Sequence, residues 1–225
     1  MNISVIVPTK NEVEGIASVI SETRKIVGKN AQIIVVDEQS TDGTIEEALK
    51  ADKDLIVIQR NGIGKGNAIK TVIPLIEGNI VIMIDSDATF DPLDIPKIIY
   101  PILKNKADVV LGSRIIGKME EGSMNFFHYF GNRLFNFLLS LKYGTYITDS
   151  QTGLRAMRRR VFDSFKIVSD GFDIETELTI KCLKNGYKVI EVPINFYKRK
   201  GSSKSKLNTF SDGWLIFKRI LFENF

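Results

Sequence analysis

The chain has 225 residues, 44% hydrophobic and 26% charged, enough for one domain with a sizeable core and unlike a disordered or fibrous chain. Its single cysteine, Cys182, excludes an internal disulfide; no run of about 18–20 apolar residues marks a membrane span, and MNISVIVPTKNE lacks the basic and apolar regions of a signal peptide. The net charge of +4 divides unevenly: residues 1–112 carry 12 Lys/Arg against 16 Asp/Glu and residues 113–225 carry 19 against 11, an acidic half suited to a cation and a basic half suited to an anion.

The first half alternates between two periods. ISVIVP (3–8) reads as a buried strand, and Ile16, Val19, Ile20, Thr23 and Val27 then recur at helical spacing. QIIVVD (32–37) is a second strand, followed by a helix near 43–51, and LIVIQ (55–59) is a third. A glycine-punctuated turn, NGIGKGN (61–67), leads into a helical stretch ending near Gly78. NIVIMID (79–85) is a fourth strand, Pro92 stands near a helix start, and DVVLGS (108–113) is a fifth strand. Continuous apolar strands alternating with helices predict an α/β fold with a parallel sheet covered on both faces. Ligands in such sheets bind beyond the carboxyl ends of the strands, so Pro8, Asp37 and Asp85 are expected around one crevice.

The second half has another texture. SMNFFHYFGNRLFNFLLSLKYG (123–144) holds five of the fourteen phenylalanines, broken by Asn125, His128, Asn132, Arg133, Asn136 and Lys142. That suits an amphipathic helix lying in a membrane interface, with a buried core helix as the alternative. DSQTGLRAMRRR (149–160) is polar and basic, GFDIETELTIKCLKNGYKV (171–189) reads as a helix with an acidic first turn, IEVPINFYKRK (190–200) is strand-like and GSSKSKLNTFSDGW (201–214) is a loop. WLIFKRILFENF repeats the interfacial pattern. The absence of repeats and linkers predicts one domain with a specialised C-terminal portion. His128, the only histidine, has no neighbouring cysteine, which argues against zinc.

The chemistry concentrates where strand four ends. Asp85 and Asp87 are like charges one residue apart, and they repel unless a cation or donors lie between them. Such a pair can hold Mg²⁺ or Mn²⁺ bridging two phosphates, or it can simply cap a turn. Lys65 in GIGKGN can reach a phosphate, although the spacing is not that of a Walker loop.

In this order VIVPTKNE, VVDEQSTDGT, GIGKGNA and the Asp-X-Asp resemble the nucleotide-sugar half of family-2 glycosyltransferases with the GT-A fold. DSDATFDPLDIP, VVLGSR, GNRLFN, DSQTGLRAMRR, GFDIETEL and SKLNTFSDGW resemble, more narrowly, dolichol-phosphate mannose synthases and their archaeal relatives. The resemblance implies a mostly parallel sheet flanked by helices and an inverting transfer of a hexose from a nucleotide sugar, GDP-mannose or UDP-glucose, to dolichyl or polyprenyl phosphate. It assigns Pro8, Asn11, Glu12, Asp37, Lys65 and Asp85 to the nucleotide, Asp85 and Asp87 to the metal, and Asp87, Arg114 and Arg133 to catalysis. Arg114, Arg133, Lys204 and Lys206 would hold the acceptor phosphate, with Arg199, Gly201 and Ser203 completing the late pattern. Lys10 and DEQS depart from the aromatic residue and the DDGS or DDSS usual in the family. The implied enzyme is cytoplasmic, peripheral on the membrane, and has no nucleic-acid partner. Two alternatives remain: transfer to a glycan hydroxyl with Asp149, Asp173 or Glu175 as base, or a silent nucleotide- or lipid-binding module. A phosphate acceptor is anionic near pH 7 and needs positioning, whereas a hydroxyl needs a base.

Overall fold

A computed structural model describes residues 2–60, 62–201, 206, 208 and 211–223. The strands are β1 (Ile3–Thr9), β2 (Gln32–Asp37), β3 (Ile56–Gln59), β4 (Ile80–Met83), β5 (Val109–Met119), β6 (Arg155–Arg158) and β7 (Val189–Phe196). The helices are α1 (Val13–Val27), α2 (Thr44–Ala51), α3 (Lys65–Val72), α4 (Ile95–Leu103), α5 (Phe126–Tyr143), α6 (Arg159–Asp163), α7 (Ile174–Lys184) and α8 (Ser211–Phe222).

All seven strands form one sheet, ordered β3-β2-β1-β4-β6-β5-β7. It is mostly parallel, with β6 antiparallel to both β4 and β5. Alternation along each strand feeds two cores. Val5, Val7, Ile33 and Ile82 face one side, where α1, α2 and α4 supply Ile16, Ala48 and Ile98. Ile6, Ile34, Val81 and Met83 face the other, where α3, α5, α7 and α8 supply Ile69, Leu139, Leu178 and Ile220. Burial on both sides is why the strands read as unbroken apolar runs.

Three expectations change. α8 begins at Ser211, inside the stretch expected to be a loop to residue 214. β5 runs to Met119, past the expected end at residue 113, with an irregularity between Ser113 and Lys118 where it pairs β7. The polar and basic 149–160 stretch contains the inner strand β6, whose Ala156 and Met157 join opposite cores. Arg155 disguises it: the side chain is fully buried, and its guanidinium donates to the carbonyls of Ser150 (3.0 Å), Thr152 (2.7 Å) and Glu175 (3.1 Å). Those bonds meet the cost of burying a charge and tie the 150–152 loop to the start of α7.

Candidate active site

β1, β2 and β4 end on the same edge of the sheet, and the turns after them carry the unusual backbone. Asn11 (φ 48°), Gln39 (φ 52°) and Ala88 (φ 58°) are left-handed. For alanine that region is disfavoured, and such strain concentrates where surroundings enforce a functional shape. The turn at Ala88 folds Asp87 back so that its Oδ1 accepts from the Thr89 amide (3.1 Å) and hydroxyl (2.7 Å). Two glycines let chain segments crowd in. A Cβ on Gly15 would lie 2.7 Å from the Ser86 carbonyl oxygen, and one on Gly153 would overlap the Asp85 carboxylate.

Two adjoining cavities meet at Asp85 and Asp87. The first, about 250 Å³, is lined by Pro8, Lys10, Glu12, Glu38, Arg60, Lys65, Arg199 and Lys206 among others. The second, about 570 Å³, shares Lys65, Asp85, Asp87, Phe172 and Arg199, and extends to Phe90, Arg114, His128, Phe135, Lys198 and Ile216.

Charge in the crevice is tightly paired. Lys65, at the start of α3, bridges Asp85 and Glu175 (2.6 Å to Glu175). Burial alone would push the Lys65 ammonium down, but the two carboxylates outweigh it and hold its pKa above the usual lysine value. Arg199 spans Glu12 and Asp87, 2.5 Å from each. Burial, and then the charge of Asp85, hold the Asp87 carboxyl above the usual carboxylate range. A carboxylate pair of this kind, Asp87 buried and Asp85 half-buried at the cavity wall, fits a hard divalent cation, which takes oxygen ligands and completes its shell with water and phosphate. The Arg199 guanidinium already places one positive charge against Asp87. Among the described residues no cluster of three or more His, Cys, Asp or Glu side chains forms a closed metal cage.

The other expected residues are placed as follows. Pro8 and Glu12 line the first cavity; Asp37 and Asn11 do not. Asp37 is fully buried, with its carboxylate held by the Ser40 amide and hydroxyl, and Asn11 Oδ1 accepts from the Thr41 amide, so both shape the turn behind the crevice. Lys206, expected at the acceptor, instead pairs with Glu12 in the first cavity and donates to the Asn11 carbonyl (3.0 Å). Lys204 and Ser203 lie outside the described residues.

Arg114 and Arg133 do not come together as one clamp. Arg114 lies in the wall of the second cavity and grips Asp149 in a fork, Nε to Oδ2 at 2.7 Å and Nη2 to Oδ1 at 2.8 Å, over the rings of Phe90 and Phe196. Arg133 lies on the exposed face of α5 against Tyr129 and lines neither cavity. The three candidate bases are also engaged: Asp149 by Arg114, Asp173 by Arg219 (2.5 Å) and Glu175 by Lys65.

Several site residues escaped the sequence reading. Glu38, of the unusual DEQS, accepts from the Gly64 amide (2.8 Å) and pairs with Lys10 and Arg60 (3.0 Å), closing the first cavity with the loop before α3. The coincidence of Lys10 and Glu38 at two departures from the family pattern was the available signal. Lys198 reaches over Gly122 beside the second cavity and, among the described residues, forms no ion pair.

A sheet of this order, with a paired-carboxylate crevice at its carboxyl edge, is the GT-A architecture of nucleotide-sugar transferases. The pattern of glycosyl transferase family 2 matches residues 4–165, and the chain belongs to that family and is a glycosyltransferase. It is 36% identical to glycosyltransferase AglJ of Haloferax volcanii over 216 residues, 96% of this chain and 69% of that one. It is 30% identical to a dolichyl-phosphate hexose transferase of the same organism, covering 98% of this chain and 92% of that one. Among solved structures it resembles glucosyl-3-phosphoglycerate synthase from Mycobacterium tuberculosis in complex with Mn²⁺, uridine diphosphate and glucosyl-3-phosphoglycerate (TM-score 0.77, 22% identity, 98% of this chain and 78% of that one).

Proposed function

We propose that the protein transfers a hexose from a nucleoside-diphosphate sugar to a polyprenyl phosphate such as dolichyl phosphate, with inversion at the anomeric carbon. The observation that carries this reading is the neutralised state of the carboxylates around the second cavity. Glu175, the one candidate base that lines it, is bound to a buried lysine, while Asp149 and Asp173 are held by arginines. A hydroxyl acceptor would need one of them as a free base, whereas a phosphate arrives as its own anionic nucleophile. The dolichyl-phosphate hexose transferase relative supports the same acceptor class.

Pro8, Glu12, Lys65 and the Glu38–Arg60 pair are assigned to the donor nucleotide. Asp85 and Asp87 would hold Mg²⁺ or Mn²⁺, which when bound supplies positive charge to the departing diphosphate. Arg199 and Lys206, now spent on Glu12 and Asp87, would be released toward phosphate oxygens as those carboxylates are taken up. Arg114 positions the cavity wall, and Lys198, which forms no ion pair among the described residues, offers the phosphate a cation. Arg133 stands among exposed Phe126, Phe130 and Phe137, where it would meet anionic headgroups at the cytoplasmic membrane face. Among the described residues no helix is long and apolar enough to cross a membrane, so the helix would lie in the interface.

The test is a transfer assay crossing GDP-mannose and UDP-glucose with polyprenyl phosphate, polyprenol and 3-phosphoglycerate, with Mg²⁺ or Mn²⁺. Product is expected only with polyprenyl phosphate and only with metal. Transfer to a hydroxyl acceptor instead would overturn the reading.

A further inference from the structure

We infer that Phe172 is the platform for the transferred hexose, its ring lying against the C–H face of the sugar. This specificity-determining role rests on the nucleotide-sugar reading above and adds the residue that holds the sugar.

Five residues line both cavities: Lys65, Asp85, Asp87, Arg199 and Phe172. The first four are charged and are paired with one another or with Glu12 and Glu175. Phe172 is the uncharged member, and it is half-buried. It belongs to neither apolar core, and among the described residues its ring stacks on no other ring and lies under no cation. Core packing therefore does not account for a large apolar ring held among four charges.

The chain around that ring is braced on both sides. Before it, the Asp170 and Gly171 carbonyls accept from the Asn67 and Gly66 amides, each at 3.1 Å. A Cβ on Gly64 or Gly66 would collide with the Asp170 or Ser169 carbonyl, so the glycines of GIGKGN let this turn close on the start of α3. After it, the Asp173 carboxylate takes the Arg219 guanidinium of α8 at 2.5 Å and the Ser169 hydroxyl. Phe172 is thus presented from a fixed turn, as a binding surface needs.

A hexose suits this place because it is amphipathic in a particular way. One face is made of C–H bonds and its rim is made of hydroxyls. The flat ring fits the face, and Gln151 and Glu175, in the wall of the second cavity, carry polar atoms that fit the rim. The sugar is also the part of the donor joined to the diphosphate, so a diphosphate at Asp85 and Asp87 delivers it to the junction. A hydrocarbon chain there would strip water from the four charges and return no hydrogen bond.

The experiment is calorimetry with Mg²⁺ on the wild type, Phe172→Leu and Phe172→Tyr, using GDP-mannose, UDP-glucose, GDP and UDP. Leucine keeps apolar bulk and loses the flat face. Phe172→Leu should weaken binding of the accepted nucleotide sugar about fivefold or more, with affinity for the matching nucleoside diphosphate unchanged, and Phe172→Tyr should restore the difference. Equal loss on the sugar nucleotide and the diphosphate, or loss on neither, would overturn the platform while leaving the donor reading intact. A wild type that binds neither nucleotide sugar would overturn both. Saturation-transfer NMR on the wild type decides the matter if the leucine variant does not fold. Saturating the aromatic protons should reach the ring protons of the bound hexose, and transfer confined to the base and ribose would reject the platform.

Discussion

Asp149 is fully buried, and burial alone would raise its pKa, yet the Arg114 guanidinium beside it holds the carboxyl below the usual carboxylate range. Because the folded pKa is depressed, the stabilisation is present above the unfolded value of about 3.9 and is lost as pH falls below it. Asp149→Asn leaves a buried guanidinium without its counter-charge and should cost about 3–5 kcal/mol at pH 7. Urea unfolding at pH 7 and pH 3 tests this: the gap between wild type and variant should shrink on acidification, and a constant gap would remove the ion pair from the account. Asp87→Asn should act differently. It removes charge from the crevice, so transfer should drop by about 100-fold or more with little change in melting temperature. Near-normal turnover at saturating metal would dismiss the assignment. Asp85 and Asp87 were brought to notice as strand-end carboxylates, a local feature, and Arg114 by the resemblance of VVLGSR to the family pattern, although it lies within β5 and not after it. The partners were not legible, since Asp149 lies 35 residues beyond Arg114 and Glu12 meets Arg199 across 187. Such pairings depend on the whole sheet being assembled.

Long periodic elements were legible, and the short strand β6 and the short helix α6 after it were missed, for the same physical reason. α1 and α5 announce themselves by period, whereas β6 is four residues long and opens with a buried arginine. Apolar patterning therefore fails where hydrogen bonds to carbonyls replace apolar contact. α5 is not a fully buried core helix: Leu139 is buried, while Phe126, Phe127, Phe130, Phe137 and Leu141 are exposed, so the helix serves the core with one stripe only. It packs against α8, where Lys142 Nζ donates to the Ile220 carbonyl at 2.7 Å. That outward face should bind anionic vesicles. Phe126→Ser, Phe127→Ser and Phe130→Ser combined should weaken sedimentation with such vesicles by about tenfold or more, as even partial burial of three rings exceeds 1.4 kcal/mol. Added salt should weaken the electrostatic part in both proteins. If the triple variant sediments as the wild type does, the aromatic face is not the membrane contact.

Across the whole molecule, the charge contrast between residues 1–112 and 113–225 suggests two halves, but a cut there falls inside β5. β4 pairs along its length with β6, from Ile80 opposite Arg158 to Met83 opposite Arg155. One core joins Ile6, Ile34 and Ile69 to Leu139, Leu178 and Ile220. Residues 1–112 alone would therefore expose an edge of β4 and the apolar face that α7 and α8 cover, so the halves should unfold together. Trp214, the only tryptophan, sits on α8 in the second half and reports on it separately from the sheet. Thermal melts followed by Trp214 fluorescence and by far-ultraviolet circular dichroism should coincide. A nucleotide sugar with Mg²⁺ or Mn²⁺, bound at the carboxyl ends of β1 and β4, should raise both midpoints equally, because a ligand stabilises the entire cooperative unit it binds. A donor-induced shift in the dichroism melt that leaves the Trp214 melt unmoved would mean that α8 unfolds independently and that the two halves are not one cooperative unit.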